Sequence, residues 1–287
     1  MPDVVIQAPE SFEHSAQIPA GAIRDDPRSV KPWAPVVLDL RYCRFVRPPA
    51  ALWCLVFGLL NAKWGQKCEL LVPEDVGVAR YLKTIGLFDL LKQNGVLVDD
   101  RDITPTLADQ VAVQLQRFQS ETDVDRMADE ALERLRNAGL GAANMRPVVV
   151  ETFAELANNA VQHSNSSIGS FGMVQYYEWQ AGPRFVCAVA DGGIGIRRSL
   201  ERNPALRSRL YYDWTAVELA LQERISGTGD PTRGIGLYGI AQDMRQPGRH
   251  LLVHSGFGIV SQNEELETDS RRGSLFPGTL AFASLAT

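Results

Sequence analysis

Long apolar runs are missing from this chain. The longest, Ala50 to Leu60, stops well short of the roughly 20 residues that a helix needs to cross a bilayer, so no membrane span is expected. Cysteine is scarce as well. The four present, Cys43, Cys54, Cys68 and Cys187, sit singly in apolar stretches without CxxC spacing or a nearby histidine, which argues against a metal site or a disulfide framework and for reduced core residues. A surplus of positive charge is also lacking: 29 Lys and Arg stand against 34 Asp and Glu, for a net charge of −5 and a pI near 5.5. Such a balance exerts no global pull on phosphate backbones or anionic lipid, so neither nucleic acid nor membrane is an expected partner, although it leaves room for a local basic patch. The opening MPDVVIQAPESFEH is acidic where a signal peptide is basic, and no apolar core follows it, so the expected compartment is the cytoplasm.

What the chain does have is apolar material for two ordinary cores, 45% hydrophobic and 22% charged over 287 residues. VVI at Val4 to Ile6 and VVLDL at Val36 to Leu40 read as buried strands. Pro48 and Pro49 open AALWCLVFGLLNAKWG, which reads as a helix laid on a sheet. CELLVP (Cys68 to Pro73) is a further strand, and Val76 to Lys92, capped by Asp75, contains helical turns interrupted at Gly86. Strand and helix alternating at this spacing make an α/β unit. The polar DDRDITPT (Asp99 to Thr106) marks a boundary, giving a first domain over 1–103 and a second over 104–287. In the second, Ala108 to Phe118 reads as a strand, Thr122 to Leu140 as a helix, and Met145 to His163 as another. No internal repeat is evident.

Over Val4 to Val98 the pattern LDLRYCRFVRPPAALWCL resembles the central strand, loop and helix of the STAS domain, and YLKTIGLFDLL resembles its closing helix. Phosphorylatable members of that family carry an acceptor hydroxyl at the helix start. Arg47, Pro48, Pro49 and Ala50 stand there instead, so a STAS-like half without that phosphorylation site is expected.

Four stretches of the second half carry chemistry. In ELANNAVQHS, Glu155 and Asn159 are four residues apart and share one helix face. Asn159 can offer a neutral oxygen to a hard cation while Glu155 orients or deprotonates an attacking group, although E-x-x-x-N alone is an ordinary solvated face. CAVADGGIGI is an apolar strand running into Asp191, Gly193 and Gly195, a carboxylate followed by glycines that suits an exocyclic amino group and equally suits a plain turn. SGTGDPTRGIGLYGIAQDMR runs glycine-rich backbone into a helix N-terminus, which favours an anion such as a triphosphate, with Arg233 adding positive charge and Gly234, Gly236 and Gly239 giving freedom. Last comes PGTLAFASL, where Thr279 opens a strand.

In that order and context, ELANNAVQH, DGGIG, RGIGLYG and PGT resemble the nucleotide-binding boxes of the gyrase, heat-shock-90, histidine-kinase and MutL (GHKL) ATPase superfamily, over about Ala108 to Thr287. The resemblance implies a Bergerat α/β sandwich binding ATP and Mg2+. It further implies Glu155 as catalytic base, Asn159 as magnesium ligand, Asp191 as adenine anchor beside Thr279, and Gly234 to Gly239 as the phosphate-side loop. A dinucleotide-binding Rossmann reading fails because RGIGLYG follows no strand.

Two features narrow the member. The chain stops at Thr287 directly after the last box, without the further domain of the dimeric clamps, and only His14 precedes the ATPase-like half, so a histidine kinase is not expected. The remaining likeness is to anti-sigma-factor serine kinases, whose usual partner is a STAS protein. Its implication is a partner-switching regulator with ATPase or protein serine/threonine kinase activity. The alternative is a non-catalytic, nucleotide-gated switch acting on a separate effector. Either could be a homodimer, and the phosphoryl acceptor and protein partner stay open.

Overall fold

The computed structural model describes residues 4–14, 17–18, 35–106, 111–179, 182–227, 234–263 and 268–286. It is a mixed α/β protein with parallel and antiparallel sheets. The chain divides into two compact units, Met1–Ala108 with Gly273–Pro277, and Asp109–Arg272 with Gly278–Thr287. Among the described residues no helix is long and apolar enough to cross a membrane.

In the first unit, β1 (Val4–Gln7), β3 (Val36–Asp39), β5 (Cys68–Leu71) and β6 (Leu97–Val98) form a parallel sheet in that order, with Val4 opposite Val36 and Val36 opposite Cys68. The short β2 (Ser11–Phe12) and β4 (Phe45–Val46) pair separately. Parallel neighbours need crossovers, which α1 (Pro48–Lys63) supplies between β3 and β5, and α2 (Val76–Thr84) with α3 (Leu87–Gln93) between β5 and β6. Proline opens α1 because its missing N–H falls where helices leave donors unpaired. The Asp75 carboxylate caps α2 by accepting from the Val78 N–H at 3.0 Å, and Gly86 at φ +88° separates the two helices. All four cysteines are free and buried; burial pushes the Cys43 thiol up to about 11 and that of Cys68 up to about 12, far from reactive thiolates.

An ion cluster fastens α2 and α3 to the segment after β6. Asp100 is almost fully buried and accepts from Lys83 at 2.7 Å and from Lys92 at 2.7 and 2.8 Å, while Asp89 accepts from Lys83 at 2.9 Å. Burial raises the Asp100 carboxyl, but hydrogen bonds from the two ammonium groups outweigh it and hold the pKa below its ordinary value. A carboxyl depressed on folding contributes stability that is present above about pH 4 and is lost as pH falls through the folded pKa. Asp100→Asn should therefore lower the thermal midpoint at pH 7, with the gap to wild type closing as pH drops below about 4. Circular-dichroism melts across that range test this, and coincident melts at pH 7 would refute it.

The second unit holds a five-stranded sheet in the order β10 (Arg249–Asn263), β11 (Thr268–Ala286), β9 (Gly182–Asp191), β8 (Ser170–Trp179), β7 (Val111–Phe118). β7, β8, β9 and β11 pair antiparallel in sequence across it. The expected strand Ala108 to Phe118 is β7; its first residues, Ala108 to Gln110, lie outside the described residues. α4 (Glu121–Asn137) begins at a capping box in which the Asp123 N–H donates to Ser120 Oγ and the Ser120 N–H to Asp123 Oδ2, both at 3.2 Å. It ends at Asn137 rather than Leu140, because Gly139 at φ +65° turns the chain. α5 (Met145–His163) packs on β9. Its Val149, Phe153, Leu156, Ala157 and Ala160 enter one core with Cys187, Val189, Ala281 and Ala283. That spacing is helical, and it leaves Glu155, Asn159 and Gln162 on a neighbouring face.

β10 is not one straight strand. His250 Nε2 and Ser261 Oγ lie 2.7 Å apart, whereas the residues between them would span more than 30 Å if extended. The chain doubles back midway, at Ser255 and Gly256, where Gly256 takes φ +59°. The second unit is completed by α6 (Gly195–Leu200), a 3-10 helix (Pro204–Arg209), α7 (Asp213–Ala220) and α8 (Gly236–Asp243). Around Leu200, Leu206, Leu210, Ala216 and Leu219, the first three of these elements share a small core of their own.

Candidate functional site

One cavity of about 330 Å³ in the second unit collects most of the sequence-derived residues. From α5 come Glu155 and Asn159, with Asn158, Gln162 and His163 on the same lining face. The Asn159 side-chain amide donates to the Glu155 carbonyl at 2.7 Å, an orientation that leaves its Oδ1 as the free acceptor. Gly236, the first residue of α8, faces this pair. A Cβ there would lie 2.3 Å from Glu155 Oε2 and 3.7 Å from Asn159 Nδ2, so glycine lets the helix start come this close without the carboxylate having to swing aside.

The floor is built where β9 ends. Asp191 is 2% exposed and accepts from the Gly193 N–H at 2.7 Å. Thr279 on β11 sits opposite it in register. The chain can turn away after Asp191 because Gly193 lacks a Cβ, which would stand 1.9 Å from the Ser164 carbonyl oxygen; the Ile194 N–H donates to that oxygen at 2.8 Å. Gly195, at φ +78°, opens α6 and lines the cavity. Ser255, at the turn of the β10 hairpin, accepts from the Ile196 N–H at 2.8 Å and donates to the Gly278 carbonyl at 2.9 Å. Its Oγ is 3.3 Å from Thr279 Oγ1.

The glycine-rich stretch divides. Gly234 takes φ +83° and lines the cavity, and its carbonyl accepts from the Arg224 N–H at 3.1 Å. From Gly236 onward the chain is helical, so Gly239 belongs to the first turn of α8 rather than to a loop, and a Cβ on it would meet nothing. Gly193 and Gly239 do not line the cavity. Arg233 lies outside the described residues. Thus Glu155, Asn159, Asp191, Gly195, Gly234, Gly236 and Thr279 come together from stretches far apart in sequence. Ser255, which ties Ile196 to Gly278 beside the cavity, was not among the residues singled out from the sequence. Its only local signal was the Ser-Gly dipeptide of a turn.

The lining is electrically lopsided. Among the described residues Glu155 and Asp191 contribute carboxylates, and no Lys or Arg reaches the cavity. A bound anion would draw positive potential from the backbone N–H groups that open α8 and from any cation it brought along. No group of three or more His, Cys, Asp and Glu that could hold a metal occurs among the described residues.

No protein-family model matches the chain, and no curated protein matches it. A functional reading therefore rests on these residues.

Proposed function

We propose that the second unit binds ATP with Mg2+ in a Bergerat-type sandwich, that the first is a STAS-like domain, and that the protein is a partner-switching regulator with ATPase or protein kinase activity. One observation carries the reading. Glu155 and Asn159 from α5, Asp191 and Thr279 from adjacent strands, and the glycine-opened start of α8 line one cavity, and those residue types together suit a nucleotide with its metal ion. Its volume lies at the lower end of the range for small-molecule sites.

In this arrangement the base lies at the buried end, where Asp191 and Thr279 accept from an exocyclic amino group. The phosphates run toward the first turn of α8, whose N–H groups lie along their path. Asn159 Oδ1 is a suitable neutral ligand for magnesium, since its amide N–H is engaged with the Glu155 carbonyl. The ion would neutralise phosphate charge during transfer. Glu155, at the mouth beside Gly236, takes the proton of the attacking hydroxyl or water.

Titration calorimetry tests the reading. Mg-ATP should bind and GTP should not, because guanine presents an acceptor where Asp191 requires a donor. Asn159→Ala should weaken Mg-ATP by roughly tenfold or more, as one oxygen ligand is lost. Equal affinities for ATP and GTP would remove Asp191 from the base, and unchanged Mg-ATP affinity in Asn159→Ala would remove that side chain from the metal.

A further inference from the structure

Against the chain's net charge of −5, the stretch Arg197 to Trp214 stands out: five arginines oppose two carboxylates, Glu201 and Asp213, for a local +3. Both carboxylates are taken by Arg197, at 3.2 and 3.6 Å. Among the described residues, Arg207 and Arg209 donate to neutral oxygens, the Glu201 carbonyl and Gln222 Oε1, and Arg198 and Arg202 meet no carboxylate. All four are exposed. Tyr211 and Tyr212 follow at 72% and 55% exposure, and Tyr212 stacks on Trp214 with ring centroids 4.3 Å apart.

These side chains share a scaffold. Leu200, Leu206, Leu210, Ala216 and Leu219 turn inward to one small core, which leaves the intervening arginines and tyrosines as its solvent side. On the inner side, Ser199 and Leu200 line the cavity. The other basic-aromatic stretch of the protein, Arg41 to Arg47, differs in kind. There Arg41, Arg44 and Arg47 are paired with Asp39, Glu10 and Glu13, so it presents little uncompensated charge.

We propose that the solvent side of Arg197 to Trp214 is a docking surface for an acidic protein segment that carries an apolar anchor beside its carboxylates. Guanidinium forks match carboxylates in bidentate geometry, and Arg, Tyr and Trp are the residue types that concentrate binding energy at protein interfaces. A nucleic acid fits less well. The net negative chain repels a polyphosphate, and Tyr212 and Trp214 already cover one ring face of each other that bases would need. The surface stands whether or not the cavity takes a nucleotide.

Fluorescence anisotropy with the full chain tests it, using a labelled peptide of Glu and Asp interspersed with Phe and Leu, the same peptide with Lys for its acidic residues, and a thymidine oligonucleotide. The acidic peptide should bind, and more weakly as salt rises, while the Lys peptide should not. Arg198→Glu combined with Arg202→Glu should weaken the acidic peptide by roughly tenfold to a hundredfold. Tyr211→Ser, at a position exposed enough to leave folding intact, should weaken it by several-fold, and Arg245→Glu, elsewhere on the surface, should not. No binding of the acidic peptide, equal binding by the double reversal, or tighter binding of the oligonucleotide would each overturn the proposal.

Discussion

Glu155→Gln should keep Mg-ATP affinity within a few-fold and lose phosphoryl transfer by about 10²- to 10⁴-fold. On the proposed reading Glu155 is the general base, which acts on the nucleophile and makes no bond that the resting nucleotide requires, so binding and chemistry should separate at that position. The geometry singles out this carboxylate: Glu155 lines the cavity and abuts the start of α8, whereas Glu151, one turn earlier on α5, does not line it. Glu151→Ala should accordingly turn over nearly as fast as wild type. Single-turnover assays with phosphate measured both free and on protein make the comparison. If Glu151→Ala were the dead variant, the base would sit one turn earlier than assigned. If wild type bound ATP and transferred no phosphate to water or protein, a nucleotide-gated switch would replace the enzyme.

Gly278→Ala should destabilise the second unit by roughly 2–4 kcal/mol, since strain from overpacking adds to that of a left-handed backbone. That corresponds to a thermal midpoint lower by something on the order of 10 °C. Gly278 holds φ +131°, and a Cβ would lie 2.0 Å from the Asp191 carbonyl oxygen and 2.9 Å from the Gly193 nitrogen. Both are backbone atoms, which cannot rotate aside. Gly239 is the contrast: it lies in a helix with open space around its missing side chain, so Gly239→Ala should be neutral or gain up to about 1 kcal/mol. Differential scanning calorimetry of the two variants would decide, and a Gly278→Ala protein melting with wild type would show that the turn relaxes freely.

The elements legible in the sequence are those with local causes. Proline fixed the start of α1, the Asp75 carboxylate that of α2, and the apolar spacing of α5 gave its bounds from Met145 to His163. β8 escaped notice because residues 170–176 are buried without interruption, so the alternation that betrays a half-exposed strand is missing. Ser255 escaped for another reason. Its importance comes from a hairpin that brings it to Ile196 and Gly278, residues remote in sequence, and no periodicity records that. Among the glycines, sequence could not separate Gly236, which admits a carboxylate, from Gly239, which admits nothing, because the two differ only in what a Cβ would strike.

The Ser255 hydroxyl has a single proton, and the Gly278 carbonyl receives it. Ser255 Oγ also lies 3.3 Å from Thr279 Oγ1, a contact in which either hydroxyl can be the donor. Thr279 in turn stands opposite Asp191 in register, and both line the cavity. One hairpin hydroxyl thus ties the start of α6, the turn at Gly278 and the threonine of the cavity floor to one another. On the proposed reading, the groups that meet the base are held in place from behind, by a serine that does not itself line the cavity.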